Sequence, residues 1–181
     1  MNGKTLQEIE ILAKDCGLYA CVPLDVKTLE CLPAVRDMCR DNKCGKYGKS
    51  WSCPPGCGSL EELEGKLKSY SSGILVQTVS KLKSSFDWNG MVAAGELHKE
   101  QQEKLRRELQ KDYPGLLTLG AGTCSRCKSC TYPDEPCRFP ELMTVSMEAC
   151  GLFVSRICKA NGLPYNYGEN TVCYTGCFLL E

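Results

Sequence analysis

The sequence is nearly without histidine: His98 is the only one in 181 residues. Any metal site in this chain must therefore be held almost purely by sulfur. A charge surplus is also missing, since 22 Lys and Arg balance 22 Asp and Glu and the formal net charge is 0. That balance argues against nucleic-acid binding as the main activity, because neutralising phosphates needs a basic excess. No apolar run approaches the roughly 18 residues of a membrane helix. Met1 to Glu10 is polar and carries no signal-peptide core. There is no internal repeat and no low-complexity linker. These absences predict a cytoplasmic chain with no nucleic-acid or membrane partner.

The length suits one domain, residues 1–181, with an N-terminal segment (1–58) carrying a first cysteine site. An α/β scaffold (59–181) carries the second. A chain of this size buries about 70% of its unfolded surface and needs no disulfides to fold.

Cysteine is what the sequence has in excess: 15 residues, far above ordinary usage. The count is odd and no signal precedes it, so a secreted disulfide scaffold is not expected. Seven cysteines lie between Cys16 and Cys57, none between Gly58 and Thr123, and eight between Cys124 and Cys177.

The cysteine-free middle reads as scaffold. Ser59-Leu60-Glu61-Glu62 is a capping box, predicting a helix to about Tyr70. Ile74 to Val79 is an apolar, β-branched run that predicts a buried strand. A helix follows from about Trp88 to Asp112, with Met91, Ala94, His98, Gln101, Leu105 and Leu109 on its inner face. Leu116 to Leu119 predicts a short strand. Beyond it, Met143, Met147, Cys150, Gly151, Val154, Ile157 and Cys158 repeat at helical spacing, predicting one helix from Pro140 that Gly162 and Pro164 end. Thr171 to Leu180 is a final strand. The expected class is α/β, with α+β as the alternative: a small ferredoxin-like or open α/β sandwich bearing two cysteine-rich metal-binding loops.

The stronger chemical signal is Cys124-Ser125-Arg126-Cys127-Lys128-Ser129-Cys130, followed by Cys137 and Pro140. Three cysteines at successive gaps of two place three sulfurs around one loop, which suits a [4Fe–4S] cubane with a fourth thiolate from further along. Tetrahedral zinc more often takes cysteines as separated pairs. Gly120 and Gly122 precede the loop and are candidate cofactor-contacting positions, because glycine lets amide groups approach cluster sulfurs. The second constellation is Cys39, Cys44, Cys53 and Cys57. Its prolines and glycines forbid a regular ladder, so a metal is the economical way to hold it. It suits a second cubane, while its two-pair spacing also suits zinc. Cys16, Cys21, Cys31, Cys150, Cys158, Cys173 and Cys177 are read first as packing residues.

Tyr47-Gly48-Lys49-Ser50-Trp51-Ser52-Cys53-Pro54-Pro55-Gly56, Gly120-Ala121-Gly122-Thr123-Cys124, Ser146-Met147-Glu148-Ala149 and Tyr174-Thr175-Gly176 together resemble a known family. It is the family of predicted metal-binding proteins called domain of unknown function 2284. The resemblance implies a prokaryotic, anaerobic, metal-binding protein with no assigned reaction. Its metal-binding label falls on the eight cysteines that spacing selects.

Three functional readings follow. In the first, two all-cysteine clusters pass single electrons to a ferredoxin- or flavodoxin-like redox partner, docked on the cationic loop of Arg36, Arg40, Lys43, Lys46 and Lys49. In the second, an enzyme uses one cluster as an electron feed, with Glu148, Tyr165, Tyr167, Tyr174 and His98 as polar candidates, none in a recognisable catalytic set. The third is a structural or adaptor module with two zinc sites, each held by four cysteines.

Overall fold

A computed structural model describes residues 3–181. Its centre is a pair of ten-residue antiparallel strands, β2 (Ser72–Lys81) and β5 (Thr171–Leu180), in register from Ser72 opposite Leu180 to Lys81 opposite Thr171. Strands β1 (Ala20–Pro23), β3 (Leu117–Gly120) and β4 (Val145–Ser146) complete an open sheet in the order β1-β2-β5-β3-β4. Among the described residues only β3 and β4 run parallel.

The central strands are apolar on both faces because both are covered. Alternate side chains of a strand point to opposite sides, so Ile74, Val76, Phe178 and Leu180 share one core. They meet Ile9 and Ala13 of helix α1 (Leu6–Asp15), and Leu105 and Leu109 of α4 (Trp88–Leu109). Leu75, Cys177 and Leu179 face the other core. There they join Leu67 of α3 (Leu60–Lys68), and Val154, Ile157 and Cys158 of α5 (Val154–Ala160). The remaining helix, α2 (Pro33–Asp37), leads into the first cysteine loop. This is the open α/β sandwich that the alternation of elements predicts.

Helix α3 begins as its capping box dictates. Ser59 N donates to Glu62 Oε2 at 2.7 Å and Glu62 N donates back to Ser59 Oγ at 3.1 Å. Ser59→Ala should cost about 1 kcal/mol, read as a lowered midpoint in urea denaturation at unchanged slope.

One sequence expectation needs correction, and two elements went unread. Residues 140–158 do not form one helix. Short 3-10 turns at Pro140–Leu142 and Glu148–Cys150 flank β4, and α5 starts only at Val154. The break has two causes: Val145 and Ser146 pair with Leu119 and Gly120, and Gly151 adopts a left-handed φ of 76°. The helical spacing of the apolar residues reflects burial from a folded-back loop. The N-terminal segment contributes α1 and the edge strand β1, which the apolar patterning does not announce. The Thr5–Glu8 capping box that opens α1 is the signal that was there to read.

His98 is a structural residue. Gln101 Nε2 donates to Gly17 O, so its Oε1 is left to accept from Thr78 Oγ1 at 2.6 Å. With its proton committed, Thr78 Oγ1 must accept from His98 Nδ1 at 2.8 Å. Desolvation lowers the His98 pKa to about 4, so this ring is neutral near pH 7.

Candidate metal centre

Strand β3 delivers the chain at Gly120 to a tight turn, where Gly122 takes a left-handed φ of 73°. The loop beyond it wraps a cavity of about 280 Å³, and Cys124, Cys127, Cys130 and Cys137 all stand on its wall. The loop is braced from within: Arg138 Nη1 donates to Ser129 O and Thr131 Oγ1 donates to Pro136 O, both at 2.9 Å. Desolvation alone would raise the Cys130 thiol. Hydrogen bonding from the N–H groups of Trp51 and Tyr132, the Ser50 hydroxyl and the Thr131 N–H outweighs it and lowers the pKa. Such donors favour a thiolate.

The first group, like the second, has one exposed and three half-buried cysteines. Cys39 lies in a 3-10 turn (Met38–Asp41) that ends at Asn42 with a left-handed φ of 50°. Asn42 Oδ1 then accepts from Tyr47 N at 3.0 Å, shaping the loop past the exposed Cys44. Cys57 N donates to Cys53 O at 3.1 Å, which sets those two cysteines on one turn. Burial raises the Cys39 thiol first; neighbouring Cys44 and Cys53 raise it further, against the lowering effect of Arg36. Burial likewise raises Cys57, with Arg36 again opposing. Arg36 is held between two backbone carbonyls, Ala149 O at 2.8 Å and Gly58 O at 2.5 Å. It is thus a fixed cation beside these thiols.

The two loops interlock. Ser52 Oγ accepts from Cys124 N at 2.9 Å and lies 3.2 Å from Thr123 Oγ1. Cys53 Sγ donates to that same Thr123 hydroxyl at 3.2 Å. Trp51 Nε1 donates to Glu135 O at 3.0 Å, and its ring meets Tyr132 edge-on with centroids 4.8 Å apart. Gly56 makes room for this contact, since a Cβ there would lie 2.8 Å from Tyr132 Cε2. Ser50, Trp51, Ser52 and Thr123 are the residues that composition and spacing do not mark, although all four stand in the motif strings. Ser52 and Thr123 join segments 71 residues apart, Trp51 reaches Glu135, and Ser50 braces Ser52.

Among the described residues, no group of three or more His, Cys, Asp or Glu side chains converges as a metal cage. The second group lines a cavity wall and the first stays within mutual electrostatic reach. The donor set is thiol throughout, the chemistry that selects zinc or iron–sulfur clusters over hard cations. The residues present therefore fit a sulfur-held metal.

The other cysteines pack. Cys150, Cys158 and Cys177 are fully buried in the larger core, and burial pushes the Cys177 thiol up to about 12. Cys16 and Cys21 lean on the smaller core. Cys31 pairs by a β-bridge with Leu152, and Cys173 sits half-buried with its sulfur 3.8 Å from Thr175 Oγ1. Gly120 and Gly122 line a second cavity, on the α4 side of the Cys124 turn. Glu148 lies near enough to Cys39 to raise that thiol. Tyr167 donates to Gln77 Oε1 at 2.6 Å and Tyr174 to Met91 O at 2.9 Å, so both hydroxyls serve the fold.

No curated protein and no solved structure matches this chain. A family model described as predicted metal-binding protein, domain of unknown function 2284, matches residues 22–180. Most of the sequence lies within that match, cysteine loops included, and the chain belongs to this family of predicted metal-binding proteins.

Proposed function

We propose that this protein is an iron–sulfur redox protein, an electron carrier or reductase component. In this reading Cys124, Cys127, Cys130 and Cys137 hold one [4Fe–4S] cluster, and Cys39, Cys44, Cys53 and Cys57 hold another. A bound cubane supplies one-electron redox chemistry whose potential follows hydrogen bonding, nearby charge and exposure. The observation that carries the reading is the cavity walled by four thiols at gaps of two, two and six residues.

The protein's own residues have clear parts in it. Arg36 offsets thiolate charge at the first group, and Lys46, Lys49, Arg126 and Lys128 line the cavity of the second. Arg40, Lys43, Lys46, Lys49 and Lys128 are exposed, and Asp37 is already engaged by Arg40 at 3.1 Å. An acidic ferredoxin- or flavodoxin-like partner would dock on that face, faster at low salt. Among the described residues no helix is long and apolar enough to cross a membrane.

Iron, acid-labile sulfide and zinc per chain, measured on protein purified without oxygen, test the assignment. About eight iron and eight sulfide are expected. The paired spacing of Cys53 and Cys57 supports a zinc reading of the first group. One zinc with four iron would confine redox chemistry to the second group; zinc alone, without sulfide, would overturn the proposal.

A further inference from the structure

Each cysteine loop reaches a cysteine of the other through one hydroxyl. From the first loop, Ser52 Oγ accepts from Cys124 N at 2.9 Å. From the second, Thr123 Oγ1 lies 3.2 Å from Cys53 Sγ. The two hydroxyls are themselves 3.2 Å apart, and Ser50 Oγ continues the line 3.0 Å from Ser52 Oγ. Ser50 Oγ also accepts from Ser52 N at 3.2 Å, which fixes the serine that begins the chain. Ser50 and Ser52 are 5% and 1% exposed, so that end is shut off from solvent.

Counting protons gives the chain a direction. A hydroxyl has one proton to donate and two lone pairs with which to accept. While Cys53 is a thiol, its S–H donates to Thr123, Thr123 donates to Ser52, and Ser52 donates to Ser50. A sulfur that binds metal does so as a thiolate and has no proton to give. The 3.2 Å contact to Cys53 then survives only if Thr123 is the donor. Thr123 Oγ1 is left to accept from Ser52, and Ser52 Oγ accepts from Ser50 beside the Cys124 N–H. Every contact in the chain is kept, and only hydroxyl protons turn. Aligned donors polarise one another, so the bond that reaches the sulfur is strengthened by those behind it.

We propose that Thr123 is a positioning residue for the first cysteine group, its hydroxyl donating to the metal-bound sulfur of Cys53 from a chain that Ser52 and Ser50 orient. Its effect on a redox potential rests on the function proposed above; the proton count does not. A hydrogen bond to a cluster sulfur favours the reduced form, which carries one more negative charge, and so raises the potential.

Redox titration followed by electron paramagnetic resonance, on full-length protein purified without oxygen, reads both centres. Thr123→Val keeps the side-chain shape and removes the donor. It should move the potential of one centre to more negative values and leave the other in place, and Thr123→Ser should restore the parent value. If Thr123→Val does not load metal, Thr123→Ala removes the same donor without the bulk and is read in the same way. Unmoved potentials, equal shifts in both centres, or a serine variant that behaves like the valine one overturn the proposal. Redox-silent zinc in the first group would instead defeat the function proposed above, and the hydroxyl is then read with cobalt(II) in the zinc's place. The sulfur-to-cobalt charge-transfer band should move to longer wavelength in Thr123→Val and return in Thr123→Ser, because a sulfur without its donor gives up electron density at lower energy. A band that stays put overturns the proposal in that case.

Discussion

Replacing Cys127 with serine is expected to remove one metal centre and leave the other, so metal per chain should fall by about half. Cys127 shares the cavity wall with Cys124, Cys130 and Cys137. A serine hydroxyl is a hard, protonated substitute for a soft thiolate, and three sulfurs hold a cluster poorly. The contacts that join the two loops run through Ser52, Thr123, Trp51, Glu135 and Tyr132. None involves Cys127, which is why the first group should survive. Elemental analysis of the variant beside the parent reads this directly. Full metal content would sink the second group as drawn, and loss of all metal would mean that the eight thiols form one cooperative unit. Cys158→Ala is the contrast: its sulfur is buried against Gln77 and Thr175, so stability should fall by about 1 kcal/mol at unchanged metal content.

Gly151→Ala is expected to destabilise the fold by about 2–4 kcal/mol. Two effects combine there. The left-handed φ of 76° is disfavoured for any residue with a Cβ, and that Cβ would stand 2.9 Å from Leu32 O and from Leu60 Cδ1. The first neighbour is backbone and cannot step aside, because Leu32 N is itself bound to Gly151 O at 2.8 Å. Gly45 has a similar φ of 70° with nothing within 4 Å of the added atom, so Gly45→Ala isolates the conformational part, about 1–2 kcal/mol. Urea denaturation of both variants gives the difference. Equal losses would show that close packing at Gly151 contributes nothing. The site should feel this change as well, since Arg36 is anchored on Ala149 O, two residues before Gly151.

The features legible in the sequence are those set by neighbours along the chain. The Ser59 cap requires residues three apart, the inner face of α4 needs only a helical repeat, and β2 announces itself by an apolar, β-branched run. The cysteine groups are local in spacing, since Cys124, Cys127 and Cys130 stand at gaps of two along one loop. Local patterning fails at residues 140–158. Those apolar residues are buried at intervals that mimic a helix, while pairing with β3 and the left-handed Gly151 impose turns instead.

By itself, then, the sequence determined the excess of thiols over imidazoles, the local spacing of each cysteine group and the alternation of elements that builds the sheet. Sulfur content, short spacings and periodicity are properties of the chain before it folds. Tertiary structure alone decided how the groups are used. It seated the two cysteine loops against each other through Ser52 and Thr123, and placed Arg36 between Ala149 and Gly58. It committed His98 to Thr78. Each of these joins segments brought together only by packing of the sheet and its helices, and no local pattern encodes a contact whose partner lies 71 residues away.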